Sequence, residues 1–338
     1  MALDVKVKID LLKPTGKLSY SYPLIIAVEG ETAEDKPYTE FKTLDDVATK
    51  YAATTNAYKV AQCILSQNNA PEKFAIKNCE KAEDIVATVE NCLKEGFRQL
   101  VVVVEGETSC LDATTVKTVS DYIETTDKMY FCQVETTTAI GTLTKTNERT
   151  VALYYNKDNT VCPESALVGA TSGLTAGSFT YKNIILKSVE PIEITDAELE
   201  TLHESGGITI VEKAGDIVTS EGIAISGEYA DIVDSKDFVT SNIQYKVQKV
   251  FNNADKVPYD NSGIAMLEAA VIEVMRDAYN NGIIATNDDG SPAYTVSFAL
   301  RSATTETDRA ARNYPYGTFS FMLAGAIHNC EVKGEISI

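Results

Sequence analysis

Apolar and charged residues alternate at the amino end of the chain. The apolar positions are Leu3, Val5, Val7 and Ile9. A period of two is the pattern of a half-buried β-strand. The sequence Lys-Pro-Thr-Gly at residues 13–16 then interrupts the alternation, as a turn does. We therefore predict a strand arm over residues 1–16.

A second β-prone segment continues almost to the last residue. From residue 317 onwards the chain is rich in β-branched, aromatic and small residues. Its last part places apolar residues among Lys and Glu, at Ile327, Val332, Ile336 and Ile338. We predict a second strand arm over residues 327–338. Terminal strands either complete the chain's own sheets or add to the sheet edges of neighbouring molecules, and the second option makes polymers.

Between the arms, residues 17–158 alternate short apolar runs with amphipathic segments. Strands are predicted at 23–28, 74–77, 100–104, 129–134 and 151–155, and helices after Thr43 and at 57–66, 82–95 and 112–124. The run LVVVV at 100–104 is apolar throughout, which is typical of a central strand covered on both faces. This order predicts an α/β domain with a mostly parallel sheet.

The pattern changes in residues 159–326. A helix near 163–170, a strand at 183–189 and a capping box from Thr195 to Glu198 come first, followed by short glycine-separated strands within 208–226. Two long amphipathic helices are predicted at 235–253 and 262–281, then strands at 294–300 and 318–328. This half is predicted to be an α+β core domain, so the fold class of the chain is α/β and α+β with terminal β arms.

Composition narrows the classes of function. The 338 residues are 44% hydrophobic, which is enough for a substantial core. Forty-nine acidic against thirty basic residues give a net charge of −19, which disfavours binding to nucleic acid or anionic lipid. No apolar run approaches the ~20 residues of a membrane span, so no membrane insertion is expected. Seven scattered cysteines without a CxxC pair indicate thiols in a reducing cytosol.

Candidate chemistry is sparse. The two histidines, His203 and His328, lack the neighbours that a catalytic triad or a zinc site needs. The glycine spacing at 169, 173 and 177 is interpreted as a flexible connection, because a phosphate loop needs a preceding strand and usually a lysine. We predict no catalytic residue, cofactor or metal. A nucleotide- or small-molecule-binding enzyme built on the α/β half stays an alternative, although its strand ends carry no glycine-rich fingerprint.

Basic residues recur along the first long helix and its exit. They are Lys236, Lys246, Lys249 and Lys256. In a strongly acidic chain they form either a docking face for an acidic partner or a solvated helix face with local ion pairs.

Several segments of the second half, in order, resemble the carboxyl-terminal region of contractile phage tail sheath proteins, a family that includes sheaths of phage-derived bacteriocins. They are GGITIVEK at 206–213, EGIAISGEYADIVDSKDFVTSNIQYKVQKVF at 221–251, VPYDNSGIAMLEAAVIEVMRDAYNNGII at 257–284 and AGAIHNCEVKGEISI at 324–338. The resemblance covers about half of the chain as judged by pattern.

The resemblance implies a structural role without catalysis. Sheath subunits of this kind stack as hexameric rings around an inner tail tube, exchange strands through terminal arms, and contract to drive the tube through a cell envelope. It also implies baseplate and tail terminator proteins as partners, synthesis in the bacterial host cytoplasm, and a place in a virion tail or tail-like particle. Lys246 and Lys249 become candidates to face the tube. Another virion protein, such as a tube or baseplate component, is a further alternative.

Overall fold

The computed structural model describes residues 22–30, 36–106, 110–157 and 162–334. The predicted amino-terminal arm, with Leu3, Val5, Val7 and Ile9, lies outside the described residues, and so do Ile336 and Ile338.

A seven-stranded sheet organises the first part of the chain. Its strands are β1 (Pro23–Val28), β2 (Thr39–Phe41), β3 (Phe74–Cys79), β4 (Gln99–Val104), β5 (Met129–Val134), β6 (Thr150–Tyr154) and β7 (Gly207–Ile208). Their order is β2-β3-β1-β4-β5-β6-β7, and every pair is parallel except β2 with β3. The predicted parallel sheet is thus confirmed, with β1 and β4 at its centre.

Helices cover both faces of this sheet. They are α1 (Leu44–Ala48), α2 (Asn56–Leu65), α3 (Ile85–Cys92), α4 (Ala113–Ile123), α5 (Thr137–Gly141), α6 (Pro163–Thr171) and α7 (Asp196–Glu204), with 3₁₀ turns at Ala82–Asp84 and Leu93–Glu95. Side chains of β1 alternate between two cores: Ile25 lies in one and Leu24 and Ile26 in the other. Capping boxes begin α1 at Thr43 and α7 at Thr195, where hydroxyl and carboxylate groups satisfy the first free N–H groups.

One core of the sheet continues across residue 158, the predicted domain boundary. Val168, Leu186 and Ile208 share this core with Ile25 and with Val233 of the first long helix. The division at residue 158 stays a prediction. In the described residues the hydrophobic cores separate within that helix, because Val233 packs with the parallel sheet and Val239 packs in a second unit.

The second unit is built on two long helices, α8 (Ala230–Asn253) and α9 (Asn261–Asn280). Val239, Ile243 and Val247 of α8 pack against Val271 and Val274 of α9. The strands β10 (Tyr294–Phe298) and β11 (Gly317–Phe321) form an antiparallel pair on this core, with the 3₁₀ turn Arg301–Ala303 and α10 (Glu306–Ala311) between them. A separate hairpin of β8 (Ile210–Lys213) and β9 (Asp216–Thr219) lies before α8.

Four sequence predictions need correction within the described residues. No strand forms over 183–189 or 223–226, where isolated bridges join Ile185 to Val218 and Ile223 to Tyr229. The last predicted strand, 318–328, ends at Phe321 because its partner β10 offers only five residues of pairing. The glycines at 169 and 173 are packing positions, since a Cβ on Gly169 would lie 2.4 Å from the Ile64 carbonyl oxygen of α2.

Candidate assembly surfaces

The β10–β11 pair is a sheet with open edges along both strands. Within the described part of the chain no further strand pairs with residues 294–298 or 317–321, and the segment 283–285 continues the hydrogen bonding only beyond the end of β11. One face is half-buried against α8 and α9, and it carries Tyr294, Val296, Phe298, Phe319 and Phe321. The opposite face is exposed and polar. A sheet of two strands has marginal stability alone, and added strands at either edge would extend its ladder.

The segment that follows β11 is irregular and mostly exposed. Residues 324–334 adopt no strand or helix in the described structure, and their side chains are mostly exposed. Ile327 is 92% exposed and Val332 is 88% exposed, although both are large apolar side chains. Exposed apolar side chains in a segment that follows an open sheet edge indicate an interaction surface.

A buried ion cluster joins α8 to the parallel sheet. Arg98 precedes β4 and Arg149 precedes β6, and both guanidinium groups reach Asp237 of α8, at 2.7 Å and 2.6 Å respectively. Arg98 also pairs with Asp234, whose other oxygen accepts a hydrogen bond from the Tyr181 hydroxyl at 2.6 Å.

The cluster is electrically balanced and buried. Two cations face two carboxylates, and each charged side chain is at most 6% exposed. Burial acts most strongly on Asp237 and favours its neutral form, yet Arg98 and Arg149 together outweigh burial and lower the pKa of this carboxyl. Since α8 also supplies Val239 and Ile243 to the core of the second unit, one continuous helix links both units of the molecule.

The two candidate tube-facing lysines lie on α8. The Lys246 ammonium is 2.5 Å from the Glu273 carboxylate of α9, and this partner raises the pKa of Lys246. The Lys249 ammonium lies 5.5 Å from the centroid of the Tyr245 ring, which is 45% exposed. Both lysines are therefore on one accessible stretch of helix, and Lys246 is part of a local ion pair of the kind that the alternative interpretation expected.

The sheet's carboxyl edge bears on the enzyme alternative. Strand order reverses at β1 and β4, the place where α/β proteins of this topology bind ligands. There the N-terminus of α2, a natural anion site, is occupied by the chain's own Glu105. Its two carboxylate oxygens accept the Asn56 and Ala57 backbone N–H groups, each at 2.8 Å. This geometry does not favour a nucleotide phosphate at that position.

Titratable groups in the cores are also poor candidates for catalysis. Burial raises the pKa of the Cys63 thiol to about 12, so the reactive thiolate is disfavoured. Glu164 is fully enclosed at the start of α6, and burial raises its pKa to about 7. The described residues contain no group of three or more His, Cys, Asp or Glu side chains placed to hold a metal ion.

Among the helices that the structure describes, none combines the length and the apolarity needed to cross a lipid bilayer.

Comparison with solved structures shows the fold class of the whole chain. A chain of the anti-feeding prophage baseplate superimposes with a TM-score of 0.72 at 14% identity, covering 100% of both chains. A chain of the PVC extracellular contractile injection system, from its sheath complex in the contracted state, gives 0.67 at 12% identity over 100% of this chain and 97% of its own. The Listeria innocua sheath tail protein Lin1278 gives 0.59 at 8% identity over 83% and 89%. The fold is that of contractile sheath proteins.

The carboxyl-terminal third carries a sequence match as well. Residues 230–336 match the family described as E217 tail sheath protein gp31-like, C-terminal domain. The matched region includes α8, α9 and the β10–β11 pair, and the resemblance to contractile tail sheath proteins indicated by the sequence is confirmed. Among curated proteins, none matches the sequence.

Proposed function

We propose that this protein is a structural subunit of a contractile tail sheath that assembles helically around an inner tail tube. The observation that carries the proposal is the open β10–β11 pair beside an exposed apolar carboxyl-terminal segment, both inside the region of the tail sheath family match. One copy offers sheet edges and the other offers a strand, so backbone hydrogen bonds join the two without a preformed pocket.

The terminal arms supply these strands in the proposal. Ile327 and Val332 belong to the carboxyl-terminal arm at 327–338, together with Ile336 and Ile338, and the amino-terminal arm contributes Leu3, Val5, Val7 and Ile9. A head-to-tail contact whose rotation does not close produces an open helical assembly, so exchanged arms can link hexameric rings into a tube.

Contraction needs no catalysis in this proposal. The extended state is kinetically trapped, and each subunit gains contact surface on contraction. This gain is a few kcal/mol per subunit, and its sum over many subunits drives the tube. The inner tail tube, the baseplate and the tail terminator are the proposed partners. The subunit is made in the bacterial host cytoplasm and becomes part of a virion tail or tail-like particle.

The tube contact is proposed to lie on the stretch of α8 that carries Lys246 and Lys249. An acidic tube surface would compete with Glu273 for Lys246 and would meet Lys249 beside an exposed aromatic ring. This assignment rests on the local positive charge in a chain whose net charge is −19.

Deletion of residues 327–338 tests the strand exchange. The full chain is expected to form rings or helical polymers in negative-stain electron microscopy, and the truncated chain is expected to stay as folded subunits. A finer variant, Ile327→Asp with Val332→Asp, should act in the same direction because charge opposes burial of these two positions in a neighbour.

A matched control uses the exposed polar residues of the same segment. Glu331 and Lys333 are 79% and 85% exposed and pair with each other, so Glu331→Gln with Lys333→Gln removes two charges of opposite sign and should leave assembly intact. Polymers formed equally well by the truncated chain would refute the proposed role of the arm.

A further inference from the structure

We infer that His328 anchors the carboxyl-terminal segment to its own subunit, so that the free arm begins at Asn329. His328 is the point in an otherwise exposed segment where a side chain turns inwards: it is 10% exposed, whereas Ile327 beside it is 92% exposed. Among the described residues, none of the three hydrophobic cores includes His328, and the sequence predicts no site role for it.

Three different elements contact the imidazole. The Thr180 hydroxyl, from the loop after α6, lies 2.9 Å from Nε2, and a Glu221 carboxylate oxygen lies 3.0 Å from Nδ1. The Tyr229 ring, at the start of α8, packs edge-on with the two ring centroids 4.8 Å apart. We call Thr180, Glu221 and Tyr229 the His328 seat.

The seat is itself held in place. Glu221 pairs with the Lys182 ammonium at 2.8 Å and accepts the Gly222 backbone N–H at 3.2 Å. Lys182 is 8% exposed and Glu221 14%, so the pair is shielded from solvent. A carboxylate fixed in this way cannot follow a moving arm, and it defines one position for the histidine.

The segment between β11 and the seat crosses a cleft. Leu323, Gly325 and Ala326 line a space of about 140 Å³ together with Gly177 and Asp231. Residues 322–328 therefore connect β11 of the second unit to the His328 seat of the parallel-sheet unit. Tension on the free arm would therefore act on both units. Residues 327 and 328 would stay with their own subunit, so the exposed Ile327 would meet a neighbouring copy at the base of the arm and Val332 within the exchanged strand.

The anchoring by His328 deepens the proposed function. Only the transmission of tension from the arm to both units rests on that function. The anchoring itself can be tested on the dissociated full-length subunit, by hydrogen–deuterium exchange of backbone amides in residues 323–331. His328→Ala should raise exchange in this segment by about tenfold or more, because the Nε2 hydrogen bond to Thr180, the close approach of Nδ1 to the Glu221 carboxylate and the ring contact with Tyr229 are lost together. Exchange in β10 and β11 should not change.

Conservative and control variants separate anchoring from general loosening. His328→Gln keeps a polar group near Nε2 and should restore part of the protection, and Thr180→Val should raise exchange less than His328→Ala does. Asn329→Ala, at the exposed neighbouring position, should have no effect. Deletion of residues 329–338 should leave exchange in 323–328 unchanged.

Unchanged exchange in His328→Ala, or increased exchange in 323–328 after deletion of residues 329–338, would overturn the inference. A subunit that shows the anchoring but never polymerises would instead refute the proposed function and leave the His328 seat intact.

Discussion

The buried ion cluster makes a quantitative prediction about Asp237. This carboxylate accepts hydrogen bonds from Arg149 at 2.6 Å and 3.0 Å and from Arg98 at 2.7 Å. Asp237→Asn preserves the shape of the side chain but removes its charge. Two arginines would then face Asp234 alone, which leaves a net buried charge of +1.

Removing one partner of a buried ion pair typically costs about 3–5 kcal/mol, because an uncompensated charge stays in the interior. We expect a loss in this range for Asp237→Asn. The chain has 17 Tyr and no Trp, so urea unfolding is best followed by far-UV circular dichroism and tyrosine fluorescence. With an unfolding slope of about 3 kcal/mol per molar urea, the midpoint should fall by about 1 M or more.

A neutral double variant is the matched control. Arg149→Met with Asp237→Leu removes one charge of each sign and keeps Arg98 paired with Asp234, so it should be clearly more stable than Asp237→Asn. Hydrogen exchange in the first turns of α8 would show whether the loss lies where the helix meets the sheet. A loss below about 1 kcal/mol for Asp237→Asn, or an equal loss in the neutral variant, would refute this reasoning.

Three further predictions concern pH, packing and the tube contact. Burial raises the folded-state pKa of Glu164 to about 7, above its ordinary 4.5. Its protonated form therefore stabilises the fold at low pH, and this contribution is lost as pH rises through 7. The stability of Glu164→Gln relative to the parent chain should rise by about 2 kcal/mol between pH 5 and pH 8 in urea titrations, and a pH-independent difference would contradict the assignment. Gly169→Ala should lower the melting temperature by several degrees, because its Cβ would meet the Ile64 backbone, whereas Gly141→Ala has open space and should not; equal effects would argue against close α2–α6 packing. Charge reversal by Lys246→Glu with Lys249→Glu should weaken co-sedimentation with an acidic inner tube, and unaltered co-sedimentation would exclude this stretch of α8 as the contact.

Sequence patterns predict best where one physical effect dominates. The apolar run of β4 and the capping residues Thr43 and Thr195 are local signals, and the structure confirms each of them. The carboxyl ends of both long helices are also close to their predicted positions at 253 and 281. These features need little information from distant parts of the chain.

The start of α8 shows where such patterns fail. The predicted helix begins at 235, but α8 begins at Ala230, because Asp234 and Asp237 occupy buried positions that an amphipathic pattern reserves for apolar residues. Their partners Arg98 and Arg149 are more than eighty residues away, so no local spacing reveals the cluster. His328 is similar: its contacts come from three separate elements.

The carboxyl-terminal arm is a different case. Its alternation of apolar and polar residues predicts a strand, yet residues 327–334 form none in the described single chain. A strand needs a partner edge, and we propose that this edge lies on another copy of the chain.

Cryo-electron microscopy of the polymer formed by the full-length chain tests this central claim most directly. We predict that backbone density of the segment after Asn329 will run beside β10 or β11 of a neighbouring copy as an added strand. Density that shows every carboxyl-terminal segment paired within its own molecule, with no strand crossing between copies, would contradict the account.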